Sequence, residues 1–420
     1  MIKKILAGVC LIFSTVAFSQ QNNASPYSYY GIGDTQFKGT VENRSMGGLG
    51  ILSDSVHINL QNPASYAFLK FTTYSVGVSN KNTKFTSDSG NDSANRTTFD
   101  YLAVALPFNK LGFSFGLMPY TSVGYKIENQ ATTNGVLFNR DFQGSGGLNR
   151  AFIGAAYRIT PKFSLGINAQ YNFGNIQTKS IVRASGDIIQ YPTRELNESH
   201  YGGLSFTLGG TYQTKLNKLD WVTSATFTPK STLNSNTSRK FATILLSSTD
   251  SETVIDEIDS GTFDDDVKLP SVLTFGTGFG EARKWFAGIE YSTKSSNSLG
   301  GRFNSVTKAA FERSQRVSLG GYFIPNYYAF NSYLSKVTYR GGFKYEKMGL
   351  IVNSQSIDDV SFSLGMGLPL GGGNGGSNLN VGLELGKRGP TRANLVRENY
   401  VNIMVSLSLN DRWFIKRKYD

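Results

Sequence analysis

The chain has 420 residues, of which 17% are charged, 13% are aromatic and 46 are glycine, with a formal net charge of +12. The charged share lies below the roughly 25% of ordinary soluble proteins, and abundant Tyr, Phe and Gly favour sheet over helix. The basic residues are scattered along the chain, so the positive charge does not indicate a nucleic-acid site.

The first twenty residues, MIKKILAGVCLIFSTVAFSQ, have the features of a secretory signal peptide. A basic start precedes an apolar run, and small residues stand at cleavage spacing, so we expect residues 1–19 to be removed on export. A lipoprotein anchor at Cys10 is disfavoured, because Val9 stands where a small residue is required. Cys10 is the one cysteine of the sequence, so a mature chain would hold no disulfide, thiolate nucleophile or cysteine–zinc site.

Beyond this segment, apolar and polar residues alternate with the two-residue period of a β-strand. In residues 163–173, FSLGINAQYNF, the odd positions are apolar and the even positions are Ser, Gly, Asn and Gln. The pattern recurs at 204–212, 360–368 and 401–409. These runs match the ~9–11 residues of a transmembrane strand, whereas no later run reaches the ~18 apolar residues of a membrane helix. A membrane barrel is therefore favoured.

Fourteen such segments can be counted, and closed bacterial barrels have even numbers of strands. We predict an all-β fold, a transmembrane antiparallel β-barrel of about 14 strands over residues 70–420. A soluble sandwich or propeller is the alternative, but it would have shorter strands or blade repeats. Long polar stretches predict outer loops at 81–96, 127–146, 177–197 and 230–267. The candidate strands are 70–80, 97–107, 111–126, 147–159, 162–176, 198–214, 217–229, 268–281, 284–296, 312–324, 335–347, 357–369, 377–388 and 398–410.

Residues 20–69 have no alternating run long enough to span a bilayer. The segment is rich in Gly, Asn and Ser, yet its aromatic and aliphatic residues argue against plain disorder. It needs a surface to pack against, and the interior of a fourteen-strand barrel would otherwise be open water. We therefore predict that residues 20–69 form an N-terminal plug or hatch.

These features together resemble the long-chain fatty-acid transporter family of outer-membrane proteins. The resemblance is carried by the signal peptide, the hatch motif Asn62-Pro63-Ala64, about fourteen strands and an interrupted third strand. The ending NDRWFIKRKYD is similar to outer-membrane proteins of the Bacteroidetes type, although a basic tail follows its aromatic pair. The resemblance implies passage of hydrophobic molecules into the barrel, past the hatch, and out sideways at a kinked third strand.

Pro119 interrupts the third candidate strand, LGFSFGLMPYTSVGYKI. Proline cannot donate a ladder hydrogen bond, so it belongs at sheet edges, strand starts or bulges. One hypothesis is that Met118, Pro119 and Tyr120 border a lateral opening. The alternative is a local bulge that only shapes the wall, since bulges are frequent in such barrels.

The sequence offers little for catalysis or metal binding. It has two histidines, His57 and His200, and nothing positions a third group for a triad with Ser199 or Ser205. We predict no enzyme activity, no cofactor and no metal site. The acidic stretch 250–266 could hold Ca²⁺ but lacks EF-hand spacing, and a solvated loop is favoured.

Two functions follow from these features. The first is an outer-membrane channel for uptake of fatty-acid-like hydrophobic small molecules, with Tyr29, Tyr30, Phe37 and Tyr66 as candidate contacts. The second is a non-transporting structural or adaptor subunit of a larger outer-membrane complex for secretion or protein assembly. The expected partners are outer-membrane lipid, lipopolysaccharide, a hydrophobic small molecule, and other outer-membrane or periplasmic proteins, without nucleic acid. The location follows as the outer membrane of a Gram-negative bacterium.

Overall fold

A computed structural model describes residues 23–185, 191–247, 251–296, 309–329, 331–370, 376–411 and 413. The proposed signal peptide, Asp250 of the acidic stretch and most of the C-terminal tail lie outside these residues. Within the described part, no helix is long and apolar enough to cross a membrane.

In the described residues, short elements precede the barrel wall, and eighteen strands form a single sheet. The helical elements are a 3₁₀ helix at Pro26–Tyr29, α1 at Val41–Arg44, and 3₁₀ helices at Pro63–Phe68 and Leu334–Lys336. The strands are β1 (Asp34–Thr35), β2 (Thr72–Ser87), β3 (Gly90–Phe108), β4 (Leu111–Thr133), β5 (Val136–Arg158), β6 (Phe163–Ser185), β7 (Thr193–Leu216), β8 (Leu219–Thr228), β9 (Ser231–Leu246), β10 (Glu252–Leu269), β11 (Val272–Glu281), β12 (Trp285–Lys294), β13 (Ala309–Phe311), β14 (Ser314–Phe323), β15 (Thr338–Val352), β16 (Gln355–Pro369), β17 (Asn378–Arg388) and β18 (Arg397–Asp411).

The sheet closes into an antiparallel barrel of fourteen wall strands, which confirms the predicted fold class. Strand β7 pairs with both β8 and β9, so these two are halves of one wall strand. In the same way β10 continues into β11, and β13 continues into β14. Closure comes from the ladder between β18 and β2, which runs from Arg397 opposite Thr86 to Asp411 opposite Thr72.

The predicted alternation sets which side chains face outward. On β6, Leu165, Ile167 and Tyr171 are exposed on the outer surface, whereas Asn168 and Gln170 are buried inside. A barrel needs this arrangement, because its outer face meets hydrocarbon and its interior can be polar. The tight turns between β3 and β4 and between β7 and β8 use residues with positive φ, Asn109 and Asn217.

The predicted long outer loops are wrong, because most of those residues continue as paired strands. The hairpin of β4 and β5 extends to Thr133 opposite Val136, and the acidic stretch lies largely in β10. Beyond the bilayer neither face of a strand meets lipid, so hydropathy stops alternating while backbone pairing continues. The sequence pattern therefore marks only the part of each strand that faces lipid.

Residues 23–71, here called the inner segment, contact inward-facing residues around the barrel. The 3₁₀ helix at Pro63–Phe68 contacts β5, β6 and β7, and α1 contacts β16, β17 and β18. The segment contributes to two hydrophobic clusters, one with Tyr66 and one with Leu49 and Ile51, and all three side chains are fully buried. Its aromatic and aliphatic residues are thus explained by burial against the wall.

Candidate functional site

The wall is interrupted between β3 and β4. Their ladder has seven residue pairs and ends at Leu102 opposite Leu117. Above this level β3 continues to pair with β2, and β4 continues to pair with β5 as far as Thr133. Among the described residues, the two strands make no further pairs with each other, so the backbone ladder of the wall is interrupted at this level.

Strand β4 bends inward where the ladder ends. A bulge lies between Pro119 and Thr121, and the five consecutive residues 121–125 are all buried. In a regular wall strand every second side chain would face outward, so burial of both faces means that this part of β4 has left the lipid-facing surface. Proline fits here because it has no N–H to leave unpaired.

The inner segment supplies partners for the displaced part of β4. Strand β1 pairs with it, with Asp34 opposite Ser122 and Thr35 opposite Thr121. The backbone N–H of Gln36 donates to the carbonyl oxygen of Tyr120 over 2.9 Å. An unsatisfied backbone group in hydrocarbon costs several kcal/mol, so these bonds make the interruption tolerable.

A cavity of about 320 Å³ is lined by residues of the inner segment and of the wall, including residues on both sides of the interruption. The three candidate residues of the lateral opening, Met118, Pro119 and Tyr120, all line it. Phe37 and Asn62 of the inner segment line it as well, and most of the remaining lining is hydroxyl, amide or charged. The geometry thus brings the predicted residues of β4 together with the inner segment around one polar cavity.

Ion pairs hold the inner segment against β17 and β18. Arg44 Nε lies 2.7 Å from Glu384 Oε2, and Arg388 Nη1 lies 2.7 Å from Asp34 Oδ2. Ser25 Oγ donates to Glu398 Oε1 over 2.5 Å. Burial acts to lower the pKa of Arg44, but the carboxylates of Glu384 and Asp100 outweigh it and the pKa is raised. Arg44 therefore stays charged inside the barrel.

The Asn62-Pro63-Ala64 motif anchors the inner segment at the other end. Asn62 caps the 3₁₀ helix by accepting from the Ala64 N–H at 3.0 Å, and its Nδ2 donates to Thr211 Oγ1 over 2.9 Å. Ser164 Oγ donates to the Ala64 carbonyl over 3.0 Å. These bonds connect the motif to β6 and β7, so the motif has a clear structural part in fixing the segment.

The predicted aromatic contacts separate into three environments. Tyr29 and Tyr30 join an apolar cluster with Tyr125 and Phe142, apart from the cavity lining. Phe37 lines the cavity beneath the Arg44 guanidinium, 5.5 Å from the ring centre. Tyr66 is fully buried and accepts from Asn168, away from the cavity. Burial raises the pKa of Tyr29, Tyr30 and Tyr66 to about 12, so all three stay neutral.

The two histidines lie in separate places. His57 Nδ1 lies 2.6 Å from Asp54 Oδ2 in the inner segment. His200 lies in β7 with an exposed side chain, 3.8 Å from Glu198. Within the described residues, no group of three or more His, Cys, Asp or Glu is arranged to hold a metal ion.

The carboxylates of β10 are spread along one strand rather than gathered at one point. Glu252 pairs with Lys179 and Arg194, and Glu257 pairs with Arg194 and Lys240. Two carboxylates of the described part of the acidic stretch therefore have cationic neighbours on adjacent strands.

A second break in the wall was missed by sequence reasoning. Pro229 separates β8 from β9, and Pro270 separates β10 from β11, at adjacent positions of the sheet. Residues 203–207 of β7 make no ladder pairs on this side within the described chain. Both prolines were visible in the sequence, Pro229 at the end of candidate strand 217–229 and Pro270 near the start of candidate strand 268–281, but the sequence could not show that they would be neighbours.

Comparisons with known proteins give one matching family and several solved structures of similar fold. A family model described as BamG matches residues 1–420. No curated protein matches the sequence. The toluene transporter TbuX of Ralstonia pickettii is 14% identical with a TM-score of 0.57, covering 90% of this chain and 99% of its own. The toluene transporter TodX of P. putida is 16% identical with a TM-score of 0.57, covering 90% of this chain and 100% of its own. The TM-scores show that this chain shares its fold with both proteins.

Proposed function

The chain belongs to the BamG family, and for this member we propose the function of a passive outer-membrane channel for hydrophobic small molecules. The observation that carries the proposal is the interruption between β3 and β4. A wall that loses its ladder at Leu102 and Leu117, beside a cavity, offers a sideways path between the barrel interior and the bilayer.

In this proposal the inner segment acts as the predicted plug of residues 20–69 and closes the direct path along the barrel axis. The ion pairs of Arg44 and Arg388 and the bonds of Asn62 attach the segment at two levels. Molecules would then leave between β3 and β4, and the exit would be bordered by Met118, Pro119 and Tyr120, which line the cavity. The barrel fold shared with two toluene transporters supports the outer membrane as the location and hydrophobic molecules as the substrate class.

Strand β1 is the element that a passing molecule would have to displace. It occupies the edge of β4 that faces the opening, with Thr35 directly opposite Thr121. Facing residues of an antiparallel pair lie about 4.5–5.5 Å apart, which suits a disulfide. The double variant Thr35→Cys/Thr121→Cys should therefore lock the opening when oxidised and release it when reduced.

The experiment measures uptake of toluene and of oleate by cells that carry the double variant. We expect oxidised cells to take up both probes at the rate of cells without the protein, and reduction to restore uptake. The matched control is Asn80→Cys/Thr97→Cys, a facing pair in the intact ladder of β2 and β3. Equal uptake before and after oxidation, with the disulfide formed, would refute the sideways path.

A second candidate function is a structural or adaptor subunit of a larger outer-membrane complex. The observation that favours it is the attachment of the inner segment by strand pairing and buried ion pairs, which suits a permanently closed barrel. Strands such as β6 and β7 also extend well beyond the length needed to span a bilayer, which offers surface for other proteins.

A further inference from the structure

Tyr120 is the extra residue of the bulge in β4. On the β5 side the ladder passes from Pro119 directly to Thr121, so Tyr120 has no facing residue in the described ladder. A bulge leaves one residue out of the pairing and can turn its side chain in a new direction. The direction of the Tyr120 ring matters, because this residue lies just beyond the point where the ladder between β3 and β4 ends.

The Tyr120 ring lies against the guanidinium of Arg150. Arg150 is buried on β5, directly opposite Met118, and its guanidinium carbon lies 3.9 Å from the centre of the ring. A cation over an aromatic face is attracted by the ring, most strongly where both groups are removed from water. The neighbouring strand β5 therefore holds the side chain that the bulge releases from the ladder.

Arg150 is itself held by Asn172 on the next strand, β6. Its Nε donates to Asn172 Oδ1 over 2.8 Å, and the side chain of Asn172 is fully buried. The guanidinium is planar with its donors in a fixed arrangement, so a hydrogen bond at Nε fixes the plane of the group as well as its position. Asn172 thus determines how Arg150 faces the ring.

A chain of buried hydrogen bonds continues from Asn172 to the second break in the wall. Asn172 Nδ2 donates to Ser205 Oγ over 3.0 Å, and Ser205 Oγ donates to Gln170 Oε1 over 3.3 Å. Gln170 Nε2 donates to Thr207 Oγ1 over 3.1 Å, and Thr207 shares a hydrogen bond of 2.9 Å with Thr228, the last residue of β8. Buried polar networks whose members are satisfied are rigid, so Arg150 has a fixed anchor in the wall.

We propose that Arg150 is a positioning residue of the sideways path. It holds the Tyr120 ring against β5 and out of the interruption between β3 and β4, and Asn172 fixes Arg150 in this orientation. The inference rests on the proposed channel function and adds the residues that keep its exit free. Without the guanidinium, the ring loses the contact that keeps it on the β5 side and is free to turn toward β3, into the path of a leaving molecule.

The first measurement follows the ring itself and needs no transport. The full-length protein carries a fluorinated tyrosine at position 120 alone, is purified in lipid nanodiscs, and is observed by fluorine NMR. We expect the resonance to shift and broaden in Arg150→Met and in Asn172→Leu, because the ring loses its fixed contact. The matched control is Asn168→Leu, the same change on the same face of β6 at a buried residue that donates to Tyr66 instead. It should leave the resonance in place.

The second measurement is uptake of toluene, which carries no charge for Arg150 to attract, at equal amounts of folded barrel. We expect Arg150→Met to lower uptake several-fold in the parent protein, because the released ring obstructs the exit. In the Tyr120→Ala background there is no ring to release, so Arg150→Met should change uptake little. No loss in the parent protein, an equal loss in both backgrounds, or an unchanged resonance in Arg150→Met and Asn172→Leu would overturn the proposal.

Failure of this inference can be told apart from failure of the channel. If toluene uptake responds to the Thr35–Thr121 disulfide but the resonance does not respond to either variant, the channel stands and the positioning of Tyr120 is wrong. If the resonance responds but cells with the parent protein take up no more toluene than cells without it, Arg150 holds the ring and the sideways path is wrong.

Discussion

Lys38 places an ammonium group inside the barrel beside a second cation, while the cavity carboxylates nearest to the inner segment are engaged by other residues. Such a group costs stability unless a ligand supplies the missing charge. Arg150 is better accommodated, since Asn172 accepts one of its N–H groups and Tyr120 lies against its plane. The loss of folding stability is therefore larger for Lys38 than for Arg150.

Replacing this residue should make the empty protein more stable. In the unfolded chain Lys38 keeps its proton up to about 10.5, but in the folded protein it loses it near 7. The unfolded state thus binds more protons between these values, so the stability of the parent rises with pH across this window. We expect Lys38→Met to raise the free energy of unfolding by about 1–3 kcal/mol at pH 6, with a smaller gain toward pH 10.

Urea unfolding in nanodiscs at the two pH values measures this effect. Lys126→Met is the control, because its exposed ammonium should give no pH-dependent change. A destabilisation by Lys38→Met of equal size at both values would mean that the ammonium has a favourable partner in the empty barrel.

Among the elements, β4 shows both what the sequence could predict and what it could not. The lower part of the strand follows a clean two-residue period, and Pro119 marks the place where the ladder with β3 ends. The proline could be read from the sequence because its effect on hydrogen bonding is local. Lys38 and Arg150 could not, because only the pairing of β4 with β5 and the path of the inner segment bring them to one cavity.

The outer halves of the strands were missed for a related physical reason. Residues 178–182 and 193–197 pair with each other as strand, yet their side chains meet water or protein on both faces. Without lipid, no selection for outward apolar residues operates, so the hydropathy signal disappears. Alternation of apolar and polar residues therefore depends on the surroundings of a strand as well as on its backbone conformation.

The interruption of the wall should depend on Pro119 itself. The variant Pro119→Thr restores an N–H and a β-branched side chain, so β4 can continue its ladder with β3. We expect uptake of toluene to fall several-fold. The barrel should still insert and fold, which the difference in gel mobility between unheated and heated samples checks. The matched control is Pro107→Thr in β3, a proline inside the intact part of the same ladder, opposite Gly112. Unchanged uptake in the Pro119 variant would leave the bulge as a shaping feature of the wall.

At the scale of the whole molecule, a closed fourteen-strand wall surrounds an attached inner segment, and this body suits either a channel or a fixed subunit. The two functions make different demands on the isolated protein. A channel works alone and can retain its substrate, whereas an adaptor is defined by its neighbours.

Purification from native membranes in mild detergent separates the two. For a channel we expect a single barrel that carries co-purified lipid or another amphiphile, detected by mass spectrometry of the intact particle. A stoichiometric complex with other envelope proteins, stable through size exclusion, would favour the adaptor. The oxidised Thr35→Cys/Thr121→Cys variant sharpens the test, because locking the opening should leave an adaptor complex unchanged.

The contact between the inner segment and the wall at Gly47 has a consequence for biogenesis. Gly47 has φ +70°, and a Cβ there would lie 2.7 Å from the carbonyl oxygens of Leu319 and Phe343, while the facing wall positions are Gly320 and Gly342. The backbone of the inner segment at Gly47 therefore lies directly against the backbone of the wall at Gly320 and Gly342. This close contact leaves no space for the segment to slide into place once the wall has closed. We expect the segment, which is synthesised first, to be in place before the last strands join, so that the sheet closes around it as around a template.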